Sequence, residues 1–293
     1  MKYKGLCFLL ILWLFSCASA QAPRQENPPF PQTDRLSSEE LSMANELLTF
    51  GLEHEAVYTL IGDLKPMSSL GYSLSYPIAK KASMADGDKH VVQVAVDSVS
   101  QALDELSQWH NIVNKLSNDQ LEFVLIPYKH TWKEKRNLQI LVCNRARFSQ
   151  ALEENESFFG QWGFTANSDP AVVLTTIEFE SRNDRYRAYG YLFGYPEHAV
   201  DFFVEASIAE GETGEFVKRD FFQIPVSASE TGHFTYATPK GYIPTKIDSS
   251  IYREANAIQK SYQNLKKQYL LPNGNLNAIG LLSDYLRQTK AHQ

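Results

Sequence analysis

Cysteine is scarce in this chain: there are three in 293 residues, and Cys7 and Cys17 both fall within the first seventeen. If that leader is removed beyond Cys17, Cys143 stands alone and no intrachain disulfide can form, so stability must come from a buried core. Long apolar runs are equally few. The one conspicuous stretch, Leu6 to Phe15, is too short to be a comfortable membrane span. Positive charge is in deficit, with 28 Lys and Arg against 34 Asp and Glu. Removal of Lys2 and Lys4 with the leader moves the net charge from −6 to −8. Such a balance argues against nonspecific nucleic-acid binding and against docking on anionic lipid headgroups. Catalytic signatures are missing as well. The chain has no His-Glu-x-x-His, no Gly-x-Ser-x-Gly, no phosphate-binding loop and no dinucleotide fingerprint. It also lacks a Cys/His cluster at zinc spacing and an Asp-rich calcium loop. The sequence therefore names no cofactor.

What is present first is an address. Lys2 and Lys4 precede the apolar run, and Ala18-Ser19-Ala20 supplies small residues for a signal peptidase. Cleavage after Ala20 would release a soluble chain starting at Gln21. Alternatively, Leu14-Phe15-Ser16-Cys17 resembles a bacterial lipoprotein box, which implies lipidation at Cys17 and a membrane contact through that anchor alone. Phe15 departs from the box pattern, because a small or β-branched residue usually stands there. Either route predicts an exported protein, periplasmic, secreted or lipid-anchored to the envelope. Residues 21–36 carry Pro23, Pro28, Pro29 and Pro31, a density that opposes helix and ladder formation and reads as a tether.

The chain as a whole has the composition of a globular protein, with 43% hydrophobic and 12% aromatic residues. Ser37 with Glu40 is a capping box, and Leu41, Ala44, Leu47 and Leu48 follow at helical spacing. Residues 67–86, rich in Ser, Gly and Tyr, read as loop. Strands are expected over 90–96, 121–128 and 138–143, with a helix between the first two whose stripe is Val99, Leu103, Leu106, Val113 and Leu116. Residues 144–155 form a short helix. Residues 171–179 and 186–193, dense in β-branched and aromatic side chains, read as strands joined by a turn near Asp184. A helix is expected from Pro196 to Ala209, a strand pair over 215–226 and 233–238, and two closing helices over 248–269 and 275–288. The sum predicts an α+β fold, with mixed α/β as the variant: a largely antiparallel sheet covered by helices and a C-terminal helical pair. Residues 37–293 are expected to form one domain, with a possible division at 165–170.

Three constellations could carry chemistry. Glu53-His54-Glu55, followed by Asp63 and Lys65, places an imidazole among carboxylates, where it could act as acid or base or ligate a metal. His198 and Asp201 are three apart on one helix, so the carboxylate could orient the ring. Arg182, Arg185, Arg187, Lys218 and Arg219, interleaved with Tyr186, Tyr189, Tyr191 and Phe193, could line a groove for an acidic or sugar ligand. Each has a plainer account as a solvated helix face, a helix N-terminus or a strand packing into the core. Cys143, in an apolar run, reads as a core residue rather than a nucleophile. The leading expectation is a non-enzymatic binding protein with Lys65, Arg187, Tyr189 and Arg219 at a small-molecule or glycan site. The alternative is an envelope hydrolase using His54, Glu55, His198 and Asp201.

Overall fold

The computed structural model describes residue 30 and residues 33–82, 90–94, 99–230 and 234–291. The expected leader at residues 1–20, with Cys17, and His233 lie outside the described residues. Helices α1 (Ser38–Glu53) and α2 (Val57–Leu60) are followed by strands β1 (Met67–Ala82) and β2 (His90–Val94), helix α3 (Val99–Leu116), and strands β3 (Leu121–Pro127) and β4 (Lys135–Asn144). Then come α4 (Arg145–Glu154), α5 (Glu156–Phe159), α6 (Pro170–Phe179), α7 (Arg182–Leu192) and α8 (Glu197–Thr213). The hairpin β5 (Arg219–Ile224) and β6 (Phe234–Pro239) leads to the closing helices α9 (Lys246–Lys266) and α10 (Ala278–Ala291).

The fold is α+β. The main sheet has the order β2-β1-β4-β3 and every pairing in it is antiparallel. Its two-residue period feeds two cores. On β4, Leu138, Ile140 and Val142 face one core while Leu141 and Cys143 face the other. On β3, Leu121 and Phe123 oppose Val124 and Ile126 in the same way. The first core takes α1, α2, α3, α9, α10 and the β5–β6 hairpin. The second takes α4 to α7. Cys143 is fully buried there, and burial pushes its thiol well above the usual range, so it packs as a small apolar residue.

Three sequence readings are corrected. Residues 67–82 form the longest strand instead of a loop: pairing with β4 satisfies the backbone whatever the side chains, and Leu70, Leu74 and Ile78 turn inward. Residues 171–179 are helical. Asp169 accepts hydrogen bonds from the amides of Ala171 and Val172, and Pro170 occupies the first turn. Residues 186–192 belong to α7 and Phe193 caps its C-terminal end, while Asp184 is not a hairpin turn but the third residue after the Ser181 cap. Both helices are short and apolar or aromatic on several sides, so no period separates them from strands. Smaller differences follow. Leu103, expected in the buried stripe of α3, is 48% exposed, while Trp109 and Ile112 are buried. Phe30 and Leu36, within the segment read as tether, are buried in the first core.

The α7–α8 turn is held tightly against the start of β1. Gly194 has φ +73°, and a Cβ there would lie 3.0 Å from Pro66 Cδ and 3.3 Å from the Leu64 carbonyl oxygen. Gly194→Ala is expected to lower stability by about 1–2 kcal/mol from the left-handed backbone alone. Urea denaturation would show a lower midpoint at unchanged slope. An unshifted midpoint would disprove this.

Candidate functional site

Helix α1 begins at the expected capping box: Glu40 N donates to Ser37 Oγ and Ser37 N to Glu40 Oε2. Its inner face buries Ala44, Leu48 and Leu52. Its flank, with Met43, Glu46, Leu47 and Phe50, forms one wall of an open cavity of about 300 Å³. Leu70, Gly71 and Tyr72 of β1 and Trp109 of α3 complete the lining. The register of β1 against β4 shifts between Ser69 and Ser73, and Gly71 in that irregularity has φ +69°. A Cβ on Gly71 would fall 1.9 Å from the Phe50 ring, so glycine is what lets that ring lie across the strand. Tyr72 and Trp109 are in ring contact at 4.3 Å between centroids. Trp109 is 3% exposed and its buried Nε1 has no hydrogen-bond partner among the described residues.

Phe50 also divides this cavity from a second, polar cleft of about 730 Å³, which Glu46 and Phe50 line as well. Glu53, His54, Asn45 and Lys266 form much of it. The Phe50 ring stacks on His54 at 3.8 Å. His54 Nδ1 lies 2.8 Å from the Phe50 carbonyl, which can only accept, so Nδ1 carries the proton. Glu53 accepts from Lys266 Nζ at 2.6 Å, from Ser227 Oγ at 2.9 Å and from the Tyr262 hydroxyl. Burial works to raise its carboxyl, but these donors prevail and hold it below the usual carboxylate range.

Glu55 points elsewhere. Its Oε2 lies 2.8 Å from the Nζ of Lys65, whose side chain is completely buried. The ammonium sits 4.5 Å from the Phe234 ring centroid and 5.2 Å from that of Phe193. Burial pulls the Lys65 ammonium below its ordinary value, and Glu55 opposes this through its charge and hydrogen bond. Burial first, and then the Glu55 charge, push the Tyr195 phenol up. Lys65 was expected to meet a ligand. With no exposed surface it instead joins the link before β1 to the end of α7 and to β6.

His198 stands at the start of α8, but Asp201 is not its partner. Asp201 Oδ1 accepts from Arg187 Nη1 at 2.5 Å. The carboxylate beside His198 is Asp248 of α9, 3.3 Å from Nε2, with the Tyr242 hydroxyl 2.9 Å from the same nitrogen. Asp248 is fully buried and accepts from Tyr236 Oη at 2.6 Å, Tyr242 Oη at 2.7 Å, and Thr245 N and Oγ1 at 2.6 and 2.8 Å. Burial would raise its pKa, but these donors bring it down to about 2. The sequence signal for this carboxylate was Thr245-x-x-Asp248, a second capping box.

The basic and aromatic set does not converge on one groove. Arg187 and Tyr189, two apart on a helix rather than on a strand, point to different faces. Arg187 reaches Asp201 and the Tyr191 hydroxyl, while Tyr189 Oη donates to Glu178 at 2.8 Å. Arg219 pairs with Glu210 and lies over the Phe216 ring at 4.4 Å. Among the described residues no three His, Cys, Asp or Glu side chains are grouped so as to hold a metal ion, and no helix is long and apolar enough to cross a membrane.

No known protein family, curated protein or solved structure matches this chain.

Sequence reasoning missed Glu46, Phe50, Tyr72 and Trp109. The usable signal was Gly71. A lone glycine within a strand pattern marks a bulge or a close approach, but reading the segment as loop hid it.

Proposed function

We propose that this chain is an exported binding protein for a small, mainly apolar molecule held between α1, β1 and α3. The observation that carries the reading is the open cavity with Leu47 and Leu70 buried in its lining and Phe50, Tyr72 and Trp109 around it. Its volume of about 300 Å³ is at the lower end of ligand pockets. Export rests on the leader at residues 1–20.

A hydrolase remains the second reading, favoured by the His198–Tyr242–Asp248 contacts. It ranks lower because neither the cleft beside Glu197 nor the one beside Thr245 is lined by His198. His54, moreover, belongs to the α1 cleft.

The test is a thermal-shift panel of small apolar compounds on the full chain. A ligand at a hundredfold excess over its Kd stabilises by about 2.7 kcal/mol, which is several degrees in a chain of this size. Met43→Trp, which fills the cavity from α1, is expected to abolish the shift and keep the fold. If no compound shifts the protein, or if the shifts survive Met43→Trp, the cavity is not a binding site.

A further inference from the structure

Resting on that reading, we propose that the cavity beside Phe50 takes an organic ammonium ion, an amine bearing several small alkyl groups, with Glu46 as its counter-charge. Three aromatic side chains, Phe50, Tyr72 and Trp109, line the space. Among the described residues of that lining Glu46 is the sole charged one, with no Lys, Arg or His beside it. Aromatic faces carry negative potential, and rings grouped around a cavity favour a bulky, weakly hydrated cation. A carboxylate ligand would meet the repulsion of Glu46. A purely apolar ligand would leave the charge unused.

Glu46 is exposed at the rim, where Ser42 Oγ donates to Oε1 at 3.2 Å. Its other oxygen accepts nothing among the described residues, unlike Glu53, which Lys266, Ser227 and Tyr262 occupy. Phe50 is 42% exposed and Tyr72 36%, large values for rings in contact with a core. The cavity is about twice the ~150 Å³ engineered void that admits benzene. It therefore has room for a trimethylammonium head with a short arm.

The probes are choline and its neutral isostere 3,3-dimethylbutan-1-ol, which differ only in nitrogen against carbon. Binding to the full chain is followed by Trp fluorescence and by titration in NMR. Choline is expected to bind about tenfold more tightly than the alcohol, the scale of a cation–aromatic contact plus one carboxylate. Glu46→Gln is expected to weaken choline severalfold more than it weakens the alcohol, leaving the smaller preference that the aromatic faces supply. Met43→Trp should exclude both. Equal affinities, a preference undiminished by Glu46→Gln, or binding of neither probe overturns the ammonium assignment. Those results leave the apolar-ligand reading standing as long as the compound panel gives shifts that Met43→Trp abolishes.

Discussion

Glu55→Gln is expected to lower the free energy of unfolding by about 3–5 kcal/mol, because it leaves the Lys65 ammonium buried without its counter-charge. Lys65 has no exposed surface, and Glu55 Oε2 is its carboxylate partner at 2.8 Å. The aromatic rings of Phe193 and Phe234 offset only part of the lost attraction. Lys65→Met should cost less, since the group it strands, Glu55, keeps 18% of its side chain in water. The double variant should lie close to the wild type, as apolar replacement of a buried pair often does. The pH dependence has a definite sign. Lys65 has a folded-state pKa below its ordinary value. Between the folded value and about 10.4 the unfolded chain binds the extra proton, so this group's contribution to stability rises with pH. Without Glu55 the depression deepens, so the deficit of Glu55→Gln should shrink between pH 7 and pH 9. Urea denaturation of the four proteins at both pH values measures this. A cost under about 1 kcal/mol, the scale of an exposed pair, would show that the pair is not buried in solution.

Asp248→Asn is expected to cost about 2–4 kcal/mol, through loss of charge-assisted hydrogen bonds and of the helix cap. Tyr236, Tyr242 and both donors of Thr245 converge on this carboxylate, and an amide cannot accept from all of them. Its folded-state pKa of about 2 lies below the ordinary 3.8. The stabilisation is therefore complete above about pH 4 and is lost as pH falls toward 2. Wild type and Asp248→Asn should differ most near neutrality and converge below pH 3 in thermal melts. A constant difference across pH 2–7 would mean that the carboxylate charge plays no part.

Much of the fold could be read locally. The Ser37–Glu40 capping box, the start of α9 near Asp248, the apolar runs of β3 and β4, and the long stripe of α3 are each set by neighbours within four residues. These elements are the ones the sequence predicts. The failures share one cause. In β1, α6 and α7 the backbone state depends on distant partners: β1 on pairing with β4, α6 and α7 on burial in the second core. Propensity is too weak to decide against such contacts.

The candidate site shows the same division. Glu53, His54 and Glu55 are consecutive, and the sequence places them in or just after an apolar helix; the structure ends that helix at Glu53. The tertiary structure sends them apart, Glu53 to Lys266, His54 onto Phe50, and Glu55 to Lys65. It also gives His198 a carboxylate from fifty residues away in place of Asp201. The cavity wall joins residues 46 and 50, 72 and 109 from three elements. Local chemistry determined the caps and the periodic elements, because their interactions lie within a few residues. Packing decided which polar groups meet, because burial and ion pairing depend on distance in space and not along the chain.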